Sequence, residues 1–111
     1  MCNIPVPKFA FDSSALSEQA TQALDALGAC LTTGPAAGRA LRLVGHADPR
    51  GTDEYNLALG QRRAASVAGH LESRSVETDR LETSSRGEMD AVGTDEASWT
   101  LDRKVDIFLA E

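Results

Sequence analysis

Between Ala40 and Ser73 the chain changes its hydrophobic period once, and this change restricts the fold more than any other feature. Residues 40–45, ALRLVG, alternate apolar and polar and predict a strand. Leu57, Gly60, Ala64, Val67 and Leu71 then recur at helical spacing and predict a helix over about Thr52–Ser73 with a buried stripe. The junction, GHADPRGT, carries Pro49 and Gly51 and has no period of its own, so it reads as a tight loop. Thr52 or Asp53 caps the free N–H groups of the helix, and Asp53 and Glu54 oppose its positive end.

The flanking segments extend this unit. Lys8–Phe11 predicts a short strand. Ser13 or Ser17 opens a helix whose apolar face is Ala20, Ala23, Leu24, Leu27 and Leu31, and Gly34 and Pro35 end it. Leu81–Ser84 predicts a strand, and a loop runs from Arg86 to Asp95. A short turn or helix follows around Ala97 and Trp99, and Val105–Leu109 alternates as a last strand. The order β-α-β-α-β-β predicts an α+β, two-layer sandwich with helices on one face of a mixed four-stranded sheet. A length of 111 residues is one domain, 1–111, with residues 1–7 as an N-terminal extension without expected structure.

Charge narrows the function classes. The net charge is −6, which opposes binding to nucleic acid or to an anionic membrane surface. No apolar run approaches the roughly 20 residues of a membrane helix. Met1 is followed at once by Cys2 and Asn3, so no signal peptide is visible, and no lipobox precedes Cys2. The expectation is an excised domain or a mature fragment.

The loop and helix also carry chemistry. They hold a carboxylate (Asp48), an amide (Asn56) and a guanidinium (Arg63) at fixed separations. Asn56 and Arg63 are seven apart, about two turns, and share one helix face bordering the apolar stripe. Asp48, just before the helix, is placed to reach back to Arg63. Such a set suits a small zwitterion, or it is a structural ion pair tying loop to helix. It does not suit bond breaking. His46 and His70 are far apart and join no compact ligand set, so no metal site or cofactor is expected. The segment ADPRGTDE lacks calcium-loop spacing, and no Ser-His-Asp order or nucleophile elbow occurs. The lone Trp99 reads as a packed loop anchor.

Residues 45–67, GHADPRGTDEYNLALGQRRAASV, resemble the motif GHTDxxGxxxYNxxLSxxRAxxV of the OmpA-like C-terminal domain family, which includes the Pal and MotB groups. FAFDSSALS, residues 9–17, is similar to that family's opening strand, and residues 85–109 to its closing SYGExxPxxxGxDExxxxxNRRVDI. The likeness runs from about Phe9 to Phe108 and is strongest to the peptidoglycan-associated lipoprotein branch. It implies a noncatalytic module that binds peptidoglycan noncovalently through the diaminopimelate of the stem peptide. Such a module anchors the outer membrane or an envelope complex to the cell wall from the periplasm. In that family's pattern Asp48 takes the ligand ammonium and Arg63 the ligand carboxylate, as a fork that lysine lacks. Asn56 adds hydrogen bonds, Arg103 matches the first Arg of NRR, and Asp12 lies near the site. The family also implies a second reading, a docking module for a TolB-like periplasmic β-propeller.

Several positions depart from the pattern. Ala47 stands for Thr, Gly60 for Ser, Asp102 for Asn and Lys104 for Arg. Asp102 adds a negative charge beside Arg103, which leaves two readings: it pairs with Arg103 and competes with the ligand carboxylate, or it repels that carboxylate. Cys2 and Cys30 leave two readings open. One is a disulfide across the first strand and helix in an oxidising compartment, and the other is a free buried Cys30 beside a disordered Cys2.

Overall fold

The structure, a computed structural model, describes residues 2–110. Its elements are α1 (Glu18–Thr32), β1 (Leu41–His46), α2 (Asp53–Glu72), a 3₁₀ turn (Thr78–Arg80), β2 (Leu81–Gly87), α3 (Glu96–Asp102) and β3 (Val105–Leu109). The sheet order is β2-β1-β3, with β1 parallel to β2 and antiparallel to β3.

Burial explains the layers. Leu41 and Leu43 of β1 stand opposite Leu109 and Ile107 of β3 and share one face of the sheet. Leu24, Leu27 and Leu31 of α1 and Ala64, Val67 and Leu71 of α2 pack with them in one core. Both long helices therefore cover the same face. Ser17 caps α1 by accepting from the Ala20 N–H at 3.0 Å, and Thr52 caps α2 by accepting from Tyr55 at 3.2 Å.

The approach of α2 to β1 is a backbone contact. A Cβ on Gly45 would strike the Gly60 carbonyl, and one on Gly60 would strike the Ser85 hydroxyl. Gly60, where the family pattern has Ser, thus lets the helix settle onto the strand. This seating fixes the height of the next helical turn, which carries Arg63.

Two expectations need correction. The sheet has three strands, not four, among the described residues. Lys8–Phe11 contributes only an isolated bridge, Lys8 to Lys104, with Phe9 N–H donating to the Arg103 carbonyl at 2.8 Å. Pro5 and Pro7 have no N–H to extend the ladder, and Asp12 turns the chain away at φ 54°. The order is therefore α-β-α-β-α-β, preceded by this strap. The second correction concerns Leu57, which lies at the surface, whereas Leu59 is buried. The buried face of α2 is Asn56, Leu59, Gly60, Arg63, Ala64, Val67, Ala68 and Leu71. Helical spacing fits both sets in part, and the contact with β1 at Gly60 selects the second.

Residues 2–7 carry no regular secondary structure, yet they are tied down. Cys2 and Cys30 form a disulfide with a Cα–Cα distance of 5.9 Å, and Pro7 is buried.

Candidate functional site

The β1–α2 loop, the first turns of α2 and the strap enclose one pocket of about 190 Å³. Its walls include Asp12, Asp48, Asn56 and Arg63, with Phe11, Arg50 and Tyr55. Arg103 stands behind Asp48, to which its Nη1 donates at 3.3 Å. The sequence-derived residues are thus gathered at one place, although Arg103 is not part of the pocket wall.

Each is held by the local fold. Arg63 exposes 0% of its surface yet forms part of the pocket floor. Its Nε donates to the Ser13 carbonyl at 2.8 Å, Nη1 to His46 at 2.8 Å and Nη2 to Ala10 at 3.1 Å. A guanidinium has five N–H groups, so one on each terminal nitrogen stays uncommitted to these carbonyls. Phe9 packs against the guanidinium, 5.3 Å from ring centre to Cζ. Burial lowers the Arg63 pKa to about 10, against the opposing field of Asp48, and the group stays charged at neutral pH. The strap that falls short as a strand therefore has another task. Its carbonyls at Phe9, Ala10 and Ser13 hold both Arg103 and Arg63.

Asn56 is almost fully buried, and its Nδ2 donates to the Arg50 carbonyl at 2.9 Å and to Glu88 at 2.7 Å. Both of its donors are thereby spent, and Oδ1 accepts no hydrogen bond from the described residues. It remains as an acceptor near the pocket. Asp12 sits at the mouth, hydrogen-bonded to the Tyr55 hydroxyl.

Asp48 is 4% exposed. Burial pushes its carboxyl pKa up, but the Arg50 hydrogen bonds and the Arg103 contact more than offset this. The net shift is below the ordinary value, so Asp48 is ionised at neutral pH. The partners of Asp48 correct the expected ion pair with Arg63, since the structure pairs it with Arg50 and Arg103 instead. Asp102 is a second correction. It does not pair with Arg103. Its oxygens accept the N–H groups of Val92 at 3.0 Å and Gly93 at 2.9 Å, binding the β2–α3 loop to α3. Arg103 is instead ligated by Glu96 at 3.0 Å, Thr100 at 3.1 Å and the Phe9 carbonyl at 2.9 Å. Lys104 lies half-exposed beside Asp106, 3.7 Å away, and plays no part in the pocket.

Sequence reasoning missed Arg50. It forks onto Asp48, Nε to Oδ1 at 3.2 Å and Nη2 to Oδ2 at 2.8 Å. Its guanidinium lies between the Phe11 ring (3.9 Å) and the Trp99 ring (4.1 Å). A signal existed in Asp48-Pro49-Arg50. An Asp two residues before a free N–H forms a side-chain turn, here Arg50 N–H to Oδ1 at 3.1 Å.

Three comparisons place this geometry among known proteins. The OmpA family model matches residues 8–104. The chain is 42% identical over 98 residues to the peptidoglycan-associated lipoprotein of Haemophilus influenzae, covering 86% of this chain and 63% of that protein. It thus spans about three fifths of the length of that curated relative. The crystal structure of the peptidoglycan-associated lipoprotein from Burkholderia pseudomallei superposes with a TM-score of 0.88 at 36% identity, covering 95% of this chain and 89% of that one. The C-terminal domain of Helicobacter pylori MotB shares the fold, with a TM-score of 0.85 at 18% identity, covering 98% of this chain and 86% of that one. With nearly the whole chain matched in sequence and in shape, the protein belongs to the OmpA family.

Proposed function

We propose that this domain binds peptidoglycan noncovalently, by taking the zwitterionic end of a stem-peptide diaminopimelate into the Asp48–Arg63 pocket. In the full-length protein it anchors an outer-membrane component to the cell wall from the periplasm. The observation that carries this reading is the pocket itself. A buried carboxylate and a buried guanidinium with spare N–H groups line a space of about 190 Å³. That is below the roughly 300–1,000 Å³ of drug-sized sites and fits an amino-acid head group. Asp48 would take the ammonium and Arg63 the carboxylate. Asn56 Oδ1 and Asp12 would accept from the ammonium's remaining protons, and Arg103 would hold Asp48 in place. No group in the pocket is arranged as a nucleophile with its base, so the chemistry is binding.

The peptidoglycan-bearing names of the similar proteins support the polymer, and the charge pattern supports the diaminopimelate. The test is a pull-down on insoluble peptidoglycan with Asp48→Asn, which keeps size and removes charge. Losing one partner of a desolvated charge pair costs about 2–5 kcal/mol, so most bound protein should move to the supernatant. Retention equal to the parent protein would refute the assignment. Arg63→Ala is the poorer probe, because it also strips three backbone carbonyls of their donors.

A second reading, docking of a TolB-like periplasmic partner on the same face, is favoured by Phe11 and Tyr55. Both are large, exposed and on the pocket rim. A partner bound there would compete with peptidoglycan.

A further inference from the structure

Asp48 has no vacant acceptor position. Oδ1 takes the Arg50 backbone N–H at 3.1 Å and Nε at 3.2 Å, and Oδ2 takes Arg50 Nη2 at 2.8 Å and Arg103 Nη1 at 3.3 Å. Four donors fill the roughly four lone-pair sites of a carboxylate. An incoming ammonium must therefore displace one of them. The backbone N–H is fixed by its turn, and the Arg50 carbonyl is pinned by Asn56 at 2.9 Å. Arg103 is buried and held by Phe9, Glu96 and Thr100. Only the Arg50 side chain, 31% exposed, is free to leave. Glu96 Oε1, 3.7 Å from Nη2 and itself exposed, offers an outer acceptor for the released guanidinium.

We propose that Arg50 is a displaceable internal cation that occupies the ammonium seat on Asp48 until ligand drives it out. This rests on the zwitterion reading of the pocket. Arg50 satisfies Asp48, and its stacking between Phe11 and Trp99 holds it at the pocket wall. The cost is lower affinity, because each binding event must break the fork and the stacking. Such exposed pairing and cation–π contacts, summed, correspond to about five- to tenfold in a dissociation constant.

Arg50→Gln removes the charge and keeps most of the stem, and Arg50→Lys keeps the charge and loses the fork. Calorimetric titration with meso-diaminopimelate should show Arg50→Gln binding about five- to tenfold tighter than the parent protein, with Arg50→Lys between them. The single tryptophan provides a second readout. Saturating the parent protein should move Trp99 emission to that of ligand-free Arg50→Gln. A gain in affinity cannot come from misfolding. If the parent protein binds and Arg50→Gln binds equally or more weakly, Arg50 is a ligand contact or a bystander, and the displacement idea fails alone. If neither protein binds, the diaminopimelate assignment of the pocket fails, and the ammonium seat with it.

Discussion

Asp102→Asn restores the family residue, and it should weaken the fold without tightening binding. Asp102 is 4% exposed, with Oδ1 accepting from Val92 N–H and Oδ2 from Gly93 N–H at 2.9–3.0 Å. Asparagine keeps one acceptor and turns the other oxygen into an NH₂ that faces a backbone N–H. A hydrogen bond to a charged acceptor contributes about 1.5–3 kcal/mol, and a donor facing a donor adds a desolvation cost. The loop is open at Val92, so water relieves part of that cost and a net loss near 2 kcal/mol follows. For a domain of this size about 4 °C of Tm corresponds to each kcal/mol, so Tm should fall by about 8 °C. Thermal unfolding followed by circular dichroism measures this, and Asp102→Ala, which loses both acceptors, should fall further. Charge repulsion of the ligand at Asp102 predicts the reverse, an unchanged Tm with tighter diaminopimelate binding. A Tm within about 1 °C of the parent protein would refute the structural role.

Other outcomes follow from the same contacts. Gly45→Ala should destabilise by about 3 kcal/mol in urea unfolding, because its Cβ meets the Gly60 carbonyl, a backbone atom that cannot rotate aside. Cys30→Ser should cost about 3–4 kcal/mol, the chain-entropy value for a bridge spanning 28 residues, and a reductant should cost the parent protein the same amount. On acidification, Asp25, Asp48, Glu77, Asp90 and Asp95 all have pKa values below their ordinary ones. Their stabilisation is present above the unfolded values near pH 4 and is lost as pH falls through the lower folded values. Urea midpoints at pH 5, 4 and 3 should drop in sequence, and a flat profile would contradict the pairing.

What the sequence made legible follows from what local spacing encodes. Asp48, Asn56 and Arg63 belong to one strand–loop–helix unit whose period and caps fix their relative positions, and they do line one pocket. The partners of those residues were harder to read. Asp48 had Arg50, Arg63 and Arg103 within reach, and spacing alone does not decide among them. The choice depends on where the carbonyls of Ala10, Ser13 and His46 hold the Arg63 guanidinium, which leaves Asp48 to Arg50 and Arg103. Asp102 adjoins Arg103 in the chain, but the turn out of α3 points the two side chains to different loops, Asp102 to Gly93 and Arg103 to Asp48. The missing fourth strand has a similar cause. FAFD has strand-like residues, but Pro5 and Pro7 before it and the left-handed Asp12 after it leave room for one bridge. Leu57 fits a helical stripe as well as Leu59 does until the Gly45–Gly60 contact fixes how α2 is rotated.

On the proposed function, the pocket reads both ends of a zwitterion. The direct measurement is a pair of calorimetric titrations of the parent protein, one with a meso-diaminopimelate stem peptide and one with the same peptide carrying lysine. Both ligands offer an ammonium to Asp48, but only the first offers a second carboxylate to Arg63. The diaminopimelate peptide should bind at least tenfold tighter, about 1.4 kcal/mol or more for one charge-assisted contact. Equal affinities would show that Arg63 does not engage the ligand and that the pocket does not read a zwitterion.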